Sequence, residues 1–442
     1  MKKRILLMFA AIALMFGTIG NTQPLSFSEA YQKALDYDAR LGRAAAQHEA
    51  NKEEIGKARA SLRPKLNASA LRGRNATDRT SLTATEELYY NSTRYDITLK
   101  QPLINLSAFA GYGQSKEKVR KSEALLKKEE IGLIVRSAEV YFDLLFALDQ
   151  HSFAEVRLDA VKEQLQQAKR RMKAGFGTIT EINEAQAEHD MALADILETA
   201  NMIEINRREL QNITGYYPAE PLRLDPLKMR LDLLDSRSVD DWVASAFEKN
   251  PDVKALEYEV KVISKEIDKN RYSRLPTLDL FATKSYSDSD NNSSIGLTYD
   301  TYSLGLQMSL PLYTGGYTSA TVRQAKANRV AAHEQLNMEE REMSSNVRKY
   351  YNGVKQSIAR IHAYEQAVKS SQIALTGTKR GFSAGLRSNV DVLNALKNVF
   401  LNKKNLAQAQ YSYILSFLRL KEVAGVLSGS DVDEINSWLQ KL

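Results

Sequence analysis

The sequence predicts a mainly α-helical chain carrying a smaller β portion, with one structural unit used twice. Three observations lead there. The chain matches itself at an offset of about 210 residues, two very long runs contain no proline, and four short segments alternate apolar with polar side chains. Composition agrees, because 9 Pro and 21 Gly in 442 residues are sparse punctuation for several compact α/β domains. Hydrophobic residues at 43% and charged residues at 26% exclude wholesale disorder. A mean hydropathy of −0.40 excludes a bundle of membrane-spanning helices.

At the N-terminus, Lys2-Lys3-Arg4 precede the apolar run from Ile5 to Phe16, followed by the small residues Gly17, Thr18 and Gly20. This is the layout of an export signal over residues 1–20, too short and too early for a stable membrane span. Assigning those three cations to the signal shrinks the net charge of +7 and leaves no nucleic-acid signature. The chain has 0 Cys, which excludes thiol catalysis, Cys-ligated zinc, disulfides and an N-terminal lipidated Cys.

The self-match sets the domain organisation. Phe27 to Ala70 aligns without a gap on Val239 to Ala282, pairing Pro64 with Pro276 and Leu66 with Leu278. Pro102 then falls on Pro311, Tyr141 on Tyr350, Gly175 on Gly385 and Gly215 on Gly425. The expected units are residues 21–215 and 238–425, joined by a connector over 216–237 and followed by a C-terminal segment over 426–442. Pro218, Pro221 and Pro226 prevent the connector from being a long helix.

Each unit opens with a heptad seam. Ala30, Ala34, Tyr37, Leu41, Ala44 and His48 alternate spacings of four and three, and Trp242, Ala246, Lys249, Val253, Leu256 and Val260 repeat the phase. These helices are expected to end at Pro64 and Pro276. A period of two follows in Tyr95 to Lys100, Leu278 to Ala282 and Tyr302 to Leu310, with Lys65 to Arg74 a weaker fourth candidate. Strands of roughly ten residues suit a tilted span of an outer-membrane barrel. Polar loops are expected at Asn75 to Ser92 and Ser285 to Ser294. Four strands cannot close around a lumen, since about eight is the practical minimum. Either they pack as hairpins on a soluble core or several chains pool them.

From Ser107 to Lys173 and from Thr318 to Ser383 there is no Pro, and at about 1.5 Å per residue each run reaches roughly 100 Å as helix. Seams run through Ile134, Ala138, Tyr141 and Leu145, and through Val347, Tyr351, Val354 and Ile361. Each run stops at a glycine turn, Gly175 to Thr178 or Gly385 to Ser388. A shorter seam then runs back through Ile182, Leu193, Ile196 and Ile203, or through Val392, Leu396, Val399 and Leu406.

The duplicated order of half-helix, β-hairpin, long helix and half-helix resembles the TolC-type outer-membrane efflux proteins, over essentially the whole mature chain. Gly175-Phe176-Gly177-Thr178-Ile179-Thr180-Glu181-Ile182 looks like that family's first turn, and Gly385-Leu386-Arg387-Ser388-Asn389-Val390-Asp391 looks like its second. Leu310-Pro311-Leu312-Tyr313-Thr314-Gly315-Gly316 resembles its strand-to-helix junction. The resemblance implies a homotrimer in which four transmembrane strands per chain complete a twelve-stranded barrel in outer-membrane lipid. It implies a coiled-coil helical tunnel through the periplasm, docking on a periplasmic adaptor (a membrane fusion protein) and an inner-membrane pump of the ABC or proton-driven type. The function implied is an export channel for secreted proteins or small drugs, without a cofactor.

The same resemblance implies an aperture ring of acidic side chains on the returning half-helix of the second unit, at Asp391 and Asn394. Asn394 departs from the acidic pattern. It also implies a latch between the two turns, formed by Arg387 with Glu181 and Thr180, and by Phe382 where a tyrosine is usual. Taken alone, Asp391 is a solvated carboxylate near a helix N-terminus, where negative charge is favourable anyway.

Other motifs carry nothing. His48, His151, His189, His333 and His362 lack metal-ligand spacing, and no nucleophile stands with a base, so no catalytic, cofactor or metal residue is assigned and nucleic acid is not an expected partner. A soluble periplasmic coiled-coil adaptor or scaffold is the alternative. It would account for the heptads and the signal, yet has no need of bilayer-length strands with Tyr89, Tyr90, Tyr286 and Tyr299 near their ends. An envelope hydrolase would need a convergent polar pocket, for which the sequence offers no residues.

Overall fold

The structure, a computed structural model, describes residues 24–218, 220–234, 237–289 and 298–441. The expected export signal lies outside them, as does the segment 290–294 of the second expected polar loop. In chain order the elements are α1 (Phe27–Tyr37), α2 (Ala39–Ala60), β1 (Lys65–Thr80), β2 (Thr85–Ile104), α3 (Leu106–Lys173), α4 (Ile179–Thr214), β3 (Arg223–Leu224), α5 (Val239–Lys249), α6 (Pro251–Tyr272), β4 (Thr277–Ser289), β5 (Thr298–Ser309), α7 (Tyr317–Ser383), α8 (Asn389–Val423), α9 (Gly429–Asn436) and β6 (Leu439–Gln440).

The long proline-free runs are helices α3 and α7, and their expected seams are buried at Ile134, Ala138, Tyr141, Leu145, Val347, Val354 and Ile361. The opening seams differ from expectation, because each is broken into two helices. At Asp38 the backbone turns extended (ψ 115°) while its N–H still closes α1 on Ala34 O, and its carboxylate accepts the Leu41 N–H at 2.7 Å to start α2. Asn250 makes the same break before Pro251, whose ring disfavours helical backbone in the preceding residue. The returning seam of α4 also differs. Leu193 is exposed, and small side chains, Ala185 and Ala192, take the buried positions.

Two compact units emerge from the packing. One comprises Ala44–Lys127 and Pro251–Arg341 and holds an antiparallel sheet in the order β1-β2-β4-β5. Residues 75–92, expected as a loop, are strand: the β1–β2 ladder runs unbroken from Lys65↔Lys100 to Thr80↔Thr85. Polarity there marks the exposed faces of a ladder, where Asn75 donates to Ser92 Oγ at 2.9 Å, and only residues 81–84 turn. His48 is buried in this unit against Ser122 Oγ (3.1 Å), a seam contact.

The other unit comprises the described part of Met1–Arg43 with Lys128–Asn250 and Glu342–Leu442. Here the connector and the C-terminal segment pair as the antiparallel strands β3 and β6, and Leu25 bridges to Pro221. The Tyr141 hydroxyl, buried with Phe27 and Phe142, donates toward Leu25 O and Leu222 O (3.0 and 3.1 Å), and burial pushes its pKa well up. Asp149 accepts from Arg223 at 2.9 Å and from Tyr411 at 2.6 Å, tying the β3 strap to α3 and α8. Gly425 ends α8 at φ 68°, so close to Lys249 that a Cβ would stand 2.4 Å from its carbonyl.

Candidate functional site

The two glycine turns have one construction. After α3, Phe176 N donates to Arg171 O (2.9 Å) across Gly175 at φ 78°; after α7, Leu386 N donates to Gly381 O (2.8 Å) across Gly385 at φ 76°. These are Schellman closures, which need a left-handed residue and so a glycine. Thr178 then caps α4 by accepting the Glu181 N–H (3.2 Å), and Ser388 caps α8 by accepting the Asp391 N–H (3.1 Å). The Asp391 carboxylate completes a capping box by accepting the Ser388 N–H at 2.9 Å. Bonds from the Ser388 backbone and then its hydroxyl, with Arg387 nearby, hold the Asp391 pKa below its ordinary value.

These turns place the expected site residues in two groups. Arg387, Asp391 and Asn394 stand together at the start of α8, with Arg387 and Asn394 exposed and the Arg387 stem packed on Gly381. Thr180 and Glu181 stand on the first turn of α4; Thr180 is exposed, and one Glu181 carboxylate oxygen is buried without a partner among the described residues. Within the single chain, Arg387 and Glu181 do not pair. Phe382 is 2% exposed and packs on Val392, Leu396 and Ala160, drawing the ends of α7 and α8 onto α3. Over its ring, 4.7 Å from the centroid, lies the guanidinium of Arg171.

Two residues here escape sequence reasoning. Arg171 belongs to a run of basic residues, Arg170, Arg171 and Lys173, at the end of α3, where such charge suits the helix dipole and nothing singles one member out. Asn389 is fully buried at the first position of α8, and neither its amide oxygen nor its amide nitrogen has a partner among the described residues. An asparagine one residue past a helix cap carries no sequence signal that it is buried.

The two faces of the sheet differ in character. One carries Leu66, Ala68, Tyr95, Ile97, Leu99, Leu280, Ala282, Tyr286, Tyr302, Leu304, Leu306 and Met308 by the observed register. Its aromatic ends include Tyr95 and Tyr286, stacked at 6.0 Å. Lys284 and Asp300 pair on the same face. The opposite face is mainly polar, with Leu71 and Phe281 among its large apolar exceptions: Lys100 pairs with Asp279 at 2.9 Å, Ser285 donates to Asp96 at 2.6 Å, and Thr98 meets Thr283 at 3.3 Å. A strand period of two makes this one apolar and one mainly hydrophilic surface. Outside the sheet, no described helix is long and apolar enough to cross a membrane.

The family profile described as "Outer membrane efflux protein" matches residues 30–216 and again 242–426. The alkaline protease secretion protein AprF of Pseudomonas aeruginosa is 33% identical over 92% of this chain and 86% of its own. The outer membrane protein TolC of Vibrio cholerae is 32% identical over 99% of both chains. Among solved structures, the outer membrane protein VceC of Vibrio cholerae superposes with a TM-score of 0.77 at 18% identity, covering 90% of this chain and 96% of that one.

Proposed function

Because the chain belongs to the outer membrane efflux protein family, we propose that it forms the outer-membrane duct of a tripartite export system, carrying secreted protein from an inner-membrane pump to the outside. The sheet carries this reading. Tyr302, Leu304, Leu306 and Met308 are 78, 77, 63 and 67% exposed, a surface suited to lipid and costly in water. A soluble adaptor would have to cover it.

The edges of the sheet support an assembly of several copies. Strands β1 and β5 each have one neighbour in the sheet, and in hydrocarbon every backbone group must be paired, so the sheet has to close on further copies. Three chains arranged cyclically supply twelve strands through one repeated interface, with the polar face lining the lumen and the apolar face against lipid. The expected particle is about 150 kDa, three times the 49.7 kDa chain before signal removal.

At the periplasmic tip, the cyclic axis multiplies the start of α8. Asp391 then recurs around the narrowest aperture, with Asn394 three residues on along the same helix. Arg387 and Glu181, unpaired within one chain, are available to each other across neighbouring turns with Thr180, and Phe382 holds each second turn to its own α3. Conduction through a wet duct needs no catalytic group, only a wall, an aperture and partners. The partners are a periplasmic adaptor and an inner-membrane pump; likeness to a protease secretion protein supports an ABC pump with protein cargo.

Detergent-corrected light scattering on protein extracted from the outer-membrane fraction tests the assembly. A stable monomer would sink the duct and favour the adaptor. Deleting the gene and assaying culture supernatants tests the cargo: undiminished secreted protein, with raised drug sensitivity, would replace protein export by small-molecule efflux.

A further inference from the structure

We infer that Arg72 and Arg74 form a docking site for the phosphate groups of an acylated glycolipid in the outer leaflet. This rests on the proposed membrane orientation, in which the helices leave the sheet on the periplasmic side and the 81–84 turn faces outward.

The register fixes the placement. On the apolar face, successive levels toward the hairpin turn are Leu66–Leu99–Ala282–Leu304, then Ala68–Ile97–Lys284–Tyr302, then Ala70–Tyr95–Tyr286–Asp300. The tyrosines of the last two levels are where aromatic residues mark a bilayer interface. The next level holds Arg72 opposite Thr93, and the one beyond holds Arg74 opposite Asn91. Both arginines therefore point to the lipid side, one and two levels past the aromatic belt, at headgroup depth. Their Cα atoms are about 7 Å apart, two residues along one strand.

Both arginines are exposed, and neither has an ionic or hydrogen-bonded partner among the described residues. Acids on this face are occupied or distant. Glu87 accepts from Tyr89 at 2.5 Å, Asp300 pairs with Lys284, and Asp288 accepts from Thr298 and lies two strands from Arg72. Guanidinium is the side chain best matched to phosphate, binding it bidentately. Below it, Ala70, Ala68 and Leu66 continue β1 as a smooth apolar track for acyl chains. One strand thus presents a cation pair directly above an apolar strip, which is the chemistry of a phosphorylated lipid and not of a free anion.

The test uses the full-length detergent-extracted protein with bisphosphorylated lipid A as the probe, read by native mass spectrometry. Binding should fall at least tenfold in R72Q/R74Q, fall by less in R72K/R74K, which keeps the charge but loses the bidentate fork, and weaken in Thr93→Asp, which leaves both arginines in place but sets a carboxylate opposite Arg72. Dephosphorylated lipid A should bind no better to wild type than to R72Q/R74Q. Equal binding of bisphosphorylated lipid A to wild type, R72Q/R74Q and Thr93→Asp overturns the inference, as does full displacement by millimolar inorganic phosphate, which would make this a free-anion site. Normal assembly and conductance in the same preparations keep the duct reading intact whatever the lipid result; loss of assembly in wild type would remove the duct reading itself.

Discussion

The guanidinium of Arg171, in the last turn of α3, lies 4.7 Å from the centre of the Phe382 ring in the last turn of α7. This contact joins the two helical hairpins inside one chain, next to both glycine turns. Phenylalanine has no hydroxyl to offer at this position, so the attraction is that of a cation for the face of a buried ring. Such contacts contribute about 0.5–2 kcal/mol, more when desolvated. If the two turns form the proposed tip of a duct, Arg171→Ala should therefore loosen their packing and raise single-channel conductance in planar bilayers. Phe382→Ala should do so more strongly, because it also empties an apolar cluster, and the double substitution should show less than the sum. Strict additivity would mean that the two residues act independently.

Asp391 should set cation preference. With its pKa held below the ordinary carboxylate range by the Ser388 bonds, it stays ionised as pH falls through the mildly acidic range. Cation selectivity and block by trivalent cations should thus be flat from pH 7 to pH 5 and decline only in stronger acid. Asp391→Ala should remove both at every pH, and Asn394→Asp should strengthen both. Selectivity that titrates near pH 6 would point to another group.

Asn389 is an internal polar defect. Leaving a buried donor or acceptor unpaired costs about 1–3 kcal/mol, and replacing the amide by an apolar side chain of similar size removes that cost. Asn389→Leu is expected to raise the thermal midpoint of the extracted protein and to lower tip opening in the same bilayer recordings. A lower midpoint would show that the amide has a partner in the assembled protein.

Glycine substitutions should separate strain from collision. Gly385 has left-handed backbone in open space, so Gly385→Ala costs about 1–2 kcal/mol of conformational strain. Gly425 has the same backbone, yet its missing Cβ would stand 2.4 Å from the Lys249 carbonyl. Gly425→Ala must also move α5, and should sharply reduce folded protein in the membrane fraction while Gly385→Ala accumulates normally. Equal yields would mean that the Lys249 backbone gives way cheaply.

Features written as period and punctuation are legible in the chain alone. A seam of period three to four without proline admits only helix, so α3 and α7 were legible nearly to their ends. The turns at Gly175 and Gly385 followed from one residue type, because a helix closing in the left-handed region selects glycine. Four alternating segments gave the sheet its strands and its apolar face. Asp391, Arg387, Phe382 and Glu181 were singled out only through resemblance, since neither a charged residue at a turn nor a lone ring beside one has a local signature of function.

Features that depend on meeting a distant partner are set by packing. Residues 75–92 read as loop because their polar content suits solvent, and only pairing of β1 with β2 shows that both faces of that ladder are solvated. The break at Asp38 needed its carboxylate to find the Leu41 N–H in place of continuing a seam that the heptads supported. Connector and C-terminal segment, more than 200 residues apart, form β3 and β6 on two bonded pairs, too short to show periodicity. Arg171 resembles its basic neighbours until α3 and α7 are packed; one of three cations then lies over a ring, since helix phase lets only one of adjacent residues face a given neighbour.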